Sequence, residues 1–455
     1  MAVRKLFGTD GIRGSANTHP ITPEIALRLG RAAGYLMRRN SGPGADRARF
    51  VIGRDTRRSG EMLEAALVAG LNSIGADVLF AGVIPTPAVA CLVQELKADG
   101  GVVISASHNP AGDNGLKLFG RDGYKLDDAL EERLETLILT EEIDEERPMG
   151  DAIGIATIIP DACERYGVMA KASVPGISLH GLKIAVDCAN GASFQTTPQV
   201  LNDLGATLSV FHAAPDGMNI NEGCGSTHGE EISRLVKEIG AHIGISHDGD
   251  ADRLVLCDEQ GEIVDGDEIL AMTALDALRR GTLAGKTLVA TVMSNFGLDE
   301  SIAAAGGKVL RTAVGDRYVV EAMREGNFSI GGEQSGHLIF RDHGTTGDGL
   351  LAALQVLRIM TESGKPLSEL RRCLKKYPQA QRNLRVKEKP PLDSLTEVTA
   401  LVSETETALS GKGRVLLRYS GTEPKIRLLI EGPDEAMINE AADRIAEVLI
   451  SAIGA

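Results

Sequence analysis

Residues 101–110 read GVVISASHNP. An apolar run, Gly101 to Ile104, gives way to six residues that crowd two serines, a histidine and an asparagine ahead of a proline. An apolar run without alternation suits a strand buried on both faces, as in a parallel sheet covered by helices. The polar hexapeptide then falls at the carboxyl end of that strand, where open α/β sheets bind their ligands. Two readings compete at this point: a turn whose hydroxyls cap the backbone, or a serine that does covalent chemistry.

Working outward, the flanking sequence alternates strand and helix. Strands are expected at 49–53, 77–80 and 102–104, with helices at 59–73 and 86–97 between them. The pattern restarts with strands at 182–186, 208–211 and 243–246. It restarts again with strands at 288–292 and 309–312 and helices at 298–305 and from Asp316. No fixed-period sequence repeat accompanies this recurrence. The acidic stretch 127–146 reads as an exposed helix face followed by a linker. Eight Lys or Arg residues between Arg371 and Lys389, followed by Pro390-Pro391, mark a domain boundary. The expected fold is therefore α/β: three mixed-sheet α/β domains at 1–155, 156–256 and 257–375, and a smaller C-terminal α+β domain at 376–455, around a central active-site cleft.

Composition narrows the function. With 455 residues the chain divides into several domains, and aromatic residues at 3% with no Trp leave cores that are mainly aliphatic. A net charge of -15 disfavours nucleic acid and anionic membrane as partners, while allowing a local basic pocket for a small anion. The six cysteines form no C-x-x-C pair and no disulfide framework. With no long apolar stretch at the N-terminus or elsewhere, a cytoplasmic protein is expected.

Three further motifs bear chemistry. SHDGDADR at 246–253 follows another expected strand and alternates Asp248, Asp250 and Asp252. Three carboxylates so close repel unless a cation joins them. A calcium loop would need glycine where Arg253 stands, whereas three carboxylate ligands with open positions suit Mg²⁺. RYSGTEPKIR at 418–427 places Ser420, Gly421 and Thr422 between two expected strands, flanked by Arg418 and Arg427. Small residues let backbone N–H groups face an anion, and the arginines add charge. GGEQSGH at 331–337 offers Glu333, Ser335 and His337, groups suited to polyol recognition.

Together with FGTDGIRG at 7–14, these motifs span the chain, and by them it resembles the α-D-phosphohexomutase superfamily, in its glucosamine branch. The resemblance implies that Ser107 is a phosphoserine and that its phosphate completes the shell of one Mg²⁺ with Asp248, Asp250 and Asp252. His108, Lys117 and His337 would be catalytic, with Lys117 a candidate proton shuttle. Arg13 and Arg253 would contact phosphate, and Glu333 and Ser335 the sugar hydroxyls. Arg418, Ser420, Gly421, Thr422 and Arg427 would hold the non-reacting phosphate. The implied activity interconverts hexosamine 6- and 1-phosphates through a hexosamine or hexose 1,6-bisphosphate, supplying amino sugar for the cell envelope. The implied partners are sugar phosphates, and the resemblance is compatible with a homodimer. A mutase for mannose or glucose phosphates is the rival on the same scaffold. Outside it, a metal-dependent phosphatase or a non-catalytic sugar-phosphate sensor are the alternatives.

Overall fold

The computed structural model describes residues 6–8, 10–40, 47–420 and 424–454. Eighteen strands among them form four sheets. The first comprises β1 (Ile12–Ser15), β2 (Arg49–Arg54), β3 (Asp77–Val83), β4 (Gly100–Ile104), β5 (Asp113–Gly120) and β6 (Ala156–Ile158), ordered β1-β5-β4-β2-β3-β6. The second comprises β7 (Lys183–Asp187), β8 (Thr207–Phe211), β9 (Ile243–His247), β10 (Leu254–Asp258) and β11 (Ile263–Val264), ordered β11-β10-β9-β7-β8. The third comprises β12 (Thr287–Thr291), β13 (Lys308–Thr312), β14 (Ile330–Gly332) and β15 (Leu338–Phe340), ordered β13-β12-β14-β15. In the fourth, β16 (Gln379–Arg385), β18 (Lys425–Glu431) and β17 (Arg414–Tyr419) lie in that order and are antiparallel throughout.

The first three sheets share one device. In each, a strand paired in parallel with its core neighbour runs into a polar loop, and the chain returns as an antiparallel strand beside it: β4 to β5, β9 to β10, and β14 to β15. SASHNP lies in the first such loop, DGDADR forms the second and EQSGH the third. The fourth motif lies at a plain hairpin from β17 to β18.

Local chemistry explains the elements. Val102, Val103 and Ile104 are buried on both faces of the sheet, as their unbroken apolar run requires. Pro87 opens the helix Thr86–Glu95, where its missing N–H costs nothing. Asp265 and Glu268 form a reciprocal capping box at the start of helix Gly266–Arg280, which ends on Gly281 in the left-handed region. That helix and Gly349–Ser363 are buried nearly all round, so neither carries the one-sided periodicity that marks a surface helix. The expected helix 59–73 is present with the same bounds.

The chain forms two compact units. One contains the first three sheets, with an aliphatic core that includes Leu29, Leu63, Leu67, Leu71, Ile52 and Ile104. The other joins 374–455 to the segment 294–304. Its core is built on Ile426, Leu428, Ile430, Ile438 and Ile445. The helix Gly297–Ala304 therefore packs with the C-terminal unit, although it follows a strand of the third sheet.

Candidate active site

The two serines of SASHNP face different partners. Ser105 is the structural serine: its Oγ donates to Asp55 Oδ2 at 2.6 Å and accepts the Ser107 N–H at 2.9 Å. Ser107 points elsewhere. Its Oγ donates to Asp248 Oδ2 at 2.6 Å, and its backbone is held in the left-handed region at φ 53°. For a non-glycine residue this conformation costs on the order of 1 kcal/mol and persists only where surroundings impose it. His108 Nδ1 lies 3.4 Å from Ser107 Oγ. Burial, then Arg253 and Arg13, push the His108 imidazole down to about 4, so the ring is neutral at pH 7.

The DGDADR turn brings Asp248, Asp250 and Asp252 together, all buried, with one oxygen of each within 4.8 Å of the others. Burial first, then Asp252 and Asp250, push the Asp248 carboxyl up to about 8. Burial also opposes ionisation of Asp252, but Lys117, His337 and Arg253 outweigh it and hold that carboxyl well below its usual range. Asp250 Oδ1 and Asp252 Oδ1 are buried without a hydrogen-bond partner. Crowded carboxylates with unsatisfied oxygens are the donor set of a hard divalent cation such as Mg²⁺. Asp248, Asp250 and Asp252 therefore fit that ion, and theirs is the one such cluster among the described residues.

Lys117, on β5, is buried beside these carboxylates. Its Nζ lies 2.8 Å from Asp250 Oδ2 and 3.4 Å from oxygens of Asp252 and Asp10. Burial disfavours its charge, but Asp10, Asp250 and Asp252 outweigh that and raise its pKa above the ordinary lysine value. Asp10 also pairs with Arg13 and Lys125, and Lys125 pairs with Asp316. In the third loop, His337 places Nδ1 3.7 Å from Asp252 Oδ2 and Nε2 3.6 Å from Asp316 Oδ2. Burial disfavours the charged ring, yet the two carboxylates raise its pKa. The Gly347 N–H donates to Nε2 at 3.1 Å, which fits a ring carrying its proton on Nδ1, toward Asp252. A backbone bridge between Arg253 and His337 fastens the second loop to the third. Glu333 Oε1 accepts the Gly315 N–H at 3.0 Å, and Ser335 is exposed.

Ser107, His108, Lys117, His337, the three aspartates, Arg13 and Arg253 thus gather in the larger unit. Glu333 and Ser335 belong to the same unit, and the expected residues from Arg418 to Arg427 belong to the smaller one. There Arg418 and Arg427 stand directly opposite each other in the β17–β18 register. Burial and Arg427 lower the Arg418 pKa. Like charges facing across a ladder are destabilising unless something of opposite sign compensates. Ser420 is buried, donates its N–H to the Lys425 carbonyl, and its own carbonyl accepts from Lys389 Nζ at 2.6 Å. Gly421 and Thr422 lie outside the described residues.

Sequence reading missed the residues that hold these side chains in place: Asp55, Arg57, Thr86, Asn221 and Asp316. Thr86 Oγ1 donates to Asp250 Oδ2 at 2.6 Å, and buried Arg57 pairs with Asp55 at 2.8 Å. Each sits apart in sequence from the motif it touches, and all but Arg57 lack a local pattern to flag them. Arg57 alone carried a signal, since GRDTR puts charge directly after the apolar β2.

Models of the phosphoglucomutase/phosphomannomutase family match along the chain: alpha/beta/alpha domain I at 4–145, domain II at 165–261, domain III at 265–377 and the C-terminal domain at 382–448. A phosphoglucosamine mutase of Anaeromyxobacter sp. (strain Fw109-5) is 53% identical over 99% of this chain and 96% of its own length. Among solved structures, a phosphoglucomutase/phosphomannomutase family protein from Burkholderia thailandensis has a TM-score of 0.79 at 25% identity, covering 97% of this chain and 96% of that one. An Aspergillus fumigatus N-acetylphosphoglucosamine mutase, solved with GlcNAc-6P and magnesium, has a TM-score of 0.61 at 19% identity, covering 94% and 99%.

Proposed function

The chain belongs to the phosphoglucomutase/phosphomannomutase family, and from that premise we propose that it interconverts D-glucosamine 6-phosphate and D-glucosamine 1-phosphate, as a phosphoserine enzyme working through a 1,6-bisphosphate. Full-length relatives named phosphoglucosamine mutase favour the glucosamine substrate over mannose or glucose phosphates. One observation carries the chemistry: the Ser107 hydroxyl is hydrogen-bonded at 2.6 Å to a carboxylate of a buried aspartate triad.

In the forward half-reaction the P–O bond to Ser107 Oγ breaks as a P–O bond to the sugar O1 forms, and the O1 hydroxyl gives up its proton. The bisphosphate then turns over, and its 6-phosphoryl group passes to Ser107, leaving glucosamine 1-phosphate. Asp248, Asp250 and Asp252 would hold Mg²⁺, which supplies charge neutralisation at the serine–phosphate bond. Arg13 and Arg253 hold the phosphoryl oxygens. His108, neutral at pH 7, His337 and Lys117 are the candidates for moving the proton, with Lys117 Nζ already ordered by three carboxylates. Glu333 and Ser335 bind sugar hydroxyls. Arg418, Ser420, Gly421, Thr422 and Arg427 hold the phosphate that is not reacting, with the two arginines facing each other across the β17–β18 ladder. Both ends of the intermediate carry the same group, so one transfer site and one anion site serve either orientation. Catalysis then rests on positioning and electrostatic stabilisation.

The same reading divides the chain into domains at 1–155, 156–256, 257–375 and 376–455. It places the enzyme in the cytoplasm, compatible with a homodimer, with sugar phosphates as partners rather than nucleic acid or membrane. The supporting features are the net charge of -15 and the lack, among the described residues, of a helix long and apolar enough to cross a membrane.

The test is a coupled assay with the 6-phosphates of glucosamine, glucose and mannose, primed with a hexose 1,6-bisphosphate. Preferential turnover of the glucosamine ester is expected. Preference for another sugar would move the chain to a sister activity, and release of inorganic phosphate without isomer would make it a phosphatase.

A further inference from the structure

Two side chains from different sheets close on the same pair of carbonyls beside Ser107. Arg57, fully buried after β2, donates through Nη2 to the Ser107 carbonyl at 2.9 Å and to the Asn109 carbonyl at 2.7 Å. Its Nη1 reaches the carbonyls of Asp113, at 3.0 Å, and of Pro110. From the loop after β8, Asn221 donates through Nδ2 to the same two oxygens, Ser107 at 2.9 Å and Asn109 at 3.1 Å. Asn221 is itself buried and left-handed at φ 60°, and its N–H donates to the Ala189 carbonyl. Gly249, inside the aspartate turn, completes the enclosure. A Cβ there would stand 2.6 Å from the Ser107 carbonyl oxygen and 2.9 Å from Asn221 Nδ2.

We propose that Arg57 and Asn221 form a two-jawed clamp of positioning residues, which fixes the left-handed Ser107 and so holds its Oγ in register with Asp248 through both halves of the reaction. The metal-ligand set is divided: Ser107 rides on the first sheet and the three aspartates on the second. A hydroxyl that is alternately phosphorylated and free cannot maintain that register by its own side-chain bonds. Carbonyls do not change during the reaction, and Arg57 anchors them to the first sheet while Asn221 anchors them to the second. Arg57 is pre-set by Asp55, whose Oδ1 accepts the Arg57 N–H at 3.0 Å and whose Oδ2 accepts Arg57 Nε and Ser105 Oγ. Neither jaw faces the sugar in this reading, so the clamp acts on the transfer step and not on substrate affinity. The kinetic half of the inference rests on the mutase reading above; the conformational half does not.

The test uses Asn221→Gly and Asn221→Asp. Glycine keeps φ 60° without strain but removes the amide, and aspartate keeps the shape and tolerance of that conformation but loses the donor. Exposed Glu222→Ala is the neighbouring control. Three readouts are taken on each full-length protein: the melting temperature, amide hydrogen exchange of 105–112, and kcat with KM for glucosamine 6-phosphate. The expected result is faster exchange confined to 105–112, and kcat lower by roughly ten- to thirtyfold, as for two lost hydrogen bonds, with KM within about twofold. If the unmodified enzyme does not isomerise any hexose phosphate, the mutase reading falls, and the exchange result alone decides the clamp. Unchanged exchange in either folded variant, or a raised KM at constant kcat, overturns the clamp and leaves the mutase reading standing. If one variant fails to fold, the other carries the same readouts.

Discussion

At the residue scale, the proposed nucleophile, Ser107, is set apart from Ser105 by what each serine already does. Ser105 spends its hydroxyl on Asp55 and on the Ser107 N–H, whereas Ser107 faces the aspartates. Ser107→Ala should therefore abolish isomerisation with little change in melting temperature, and a hexose 1,6-bisphosphate should no longer label the protein; a label retained on Ser105 would refute the assignment. Asp248 gives a second prediction. Its carboxyl is raised to about 8 in the folded protein, so between the unfolded value near 4 and that pH the native state binds more protons than the unfolded state. This contribution to stability is present at low pH and is lost as pH rises through about 8. His247, buried and pushed down to about 4, acts oppositely below its unfolded value near 6.5, while His337, which Asp252 and Asp316 raise despite its burial, adds a loss of the same sign above it, so rising pH from about 6.5 to 8 reads the carboxylate cluster and that ring together. Chelator-treated protein should lose on the order of 1 kcal/mol across that window, and saturating Mg²⁺ should flatten the slope, as read by thermal melts. A slope unaffected by Mg²⁺ would mean that the triad does not take the ion.

At the element scale, the recurring unit is a parallel strand, a polar loop and an antiparallel return. Strands such as β4 and β9 were legible because their apolar runs are unbroken. The returning β5 was not: Asp113–Gly120 interleaves Asn, Gly and Lys with Leu and Phe, because Lys117 points into a buried ionic cluster where a core residue would ordinarily stand. The helices Gly266–Arg280 and Gly349–Ser363 were passed over for the opposite reason, since burial all round removes the periodicity that sequence reading relies on. The catalytic loops were legible as polar clusters at strand ends, while the contacts that shape them come from residues tens to hundreds of positions away. Gly249 makes one of these contacts. Gly249→Ala should push the aspartate turn off the Ser107 carbonyl and off Ile220, whose Cδ1 would lie 2.7 Å from the new methyl group. Overpacking of this kind typically costs about 1–3 kcal/mol. Activity should fall at least about a hundredfold, because displacement by a few tenths of an ångström to an ångström degrades transfer geometry far more than it degrades packing. Activity within about threefold of the unmodified enzyme would show that the turn can shift freely.

At the scale of the whole molecule, the chain path and the packing disagree in one place, and that place makes a prediction. Segment 294–304 leaves the third sheet yet packs in the C-terminal unit. There Glu431, fully buried on β18, gathers the segment in: its Oε1 accepts the Phe296 N–H at 3.1 Å and Gln379 Nε2 at 2.8 Å, and its Oε2 pairs with Arg414 Nε at 2.5 Å. Arg414 Nη2 closes the ring on the Ser294 carbonyl at 2.7 Å. Removing the cation strands a carboxylate with no exposure to water, the circumstance in which breaking an ion pair costs about 3–5 kcal/mol. Arg414→Met keeps most of the side-chain volume and removes the charge. The aspartate triad lies in the other unit, so Mg²⁺ and Arg414→Met should act on different parts of the unfolding profile. Two calorimetric transitions are expected, one raised by Mg²⁺ through preferential binding to the native state and one lowered by Arg414→Met. A single transition that responds to both would mean that the two units unfold as one cooperative block. A variant that melts like the unmodified enzyme would mean that the Glu431–Arg414 pair does not hold the segment in place.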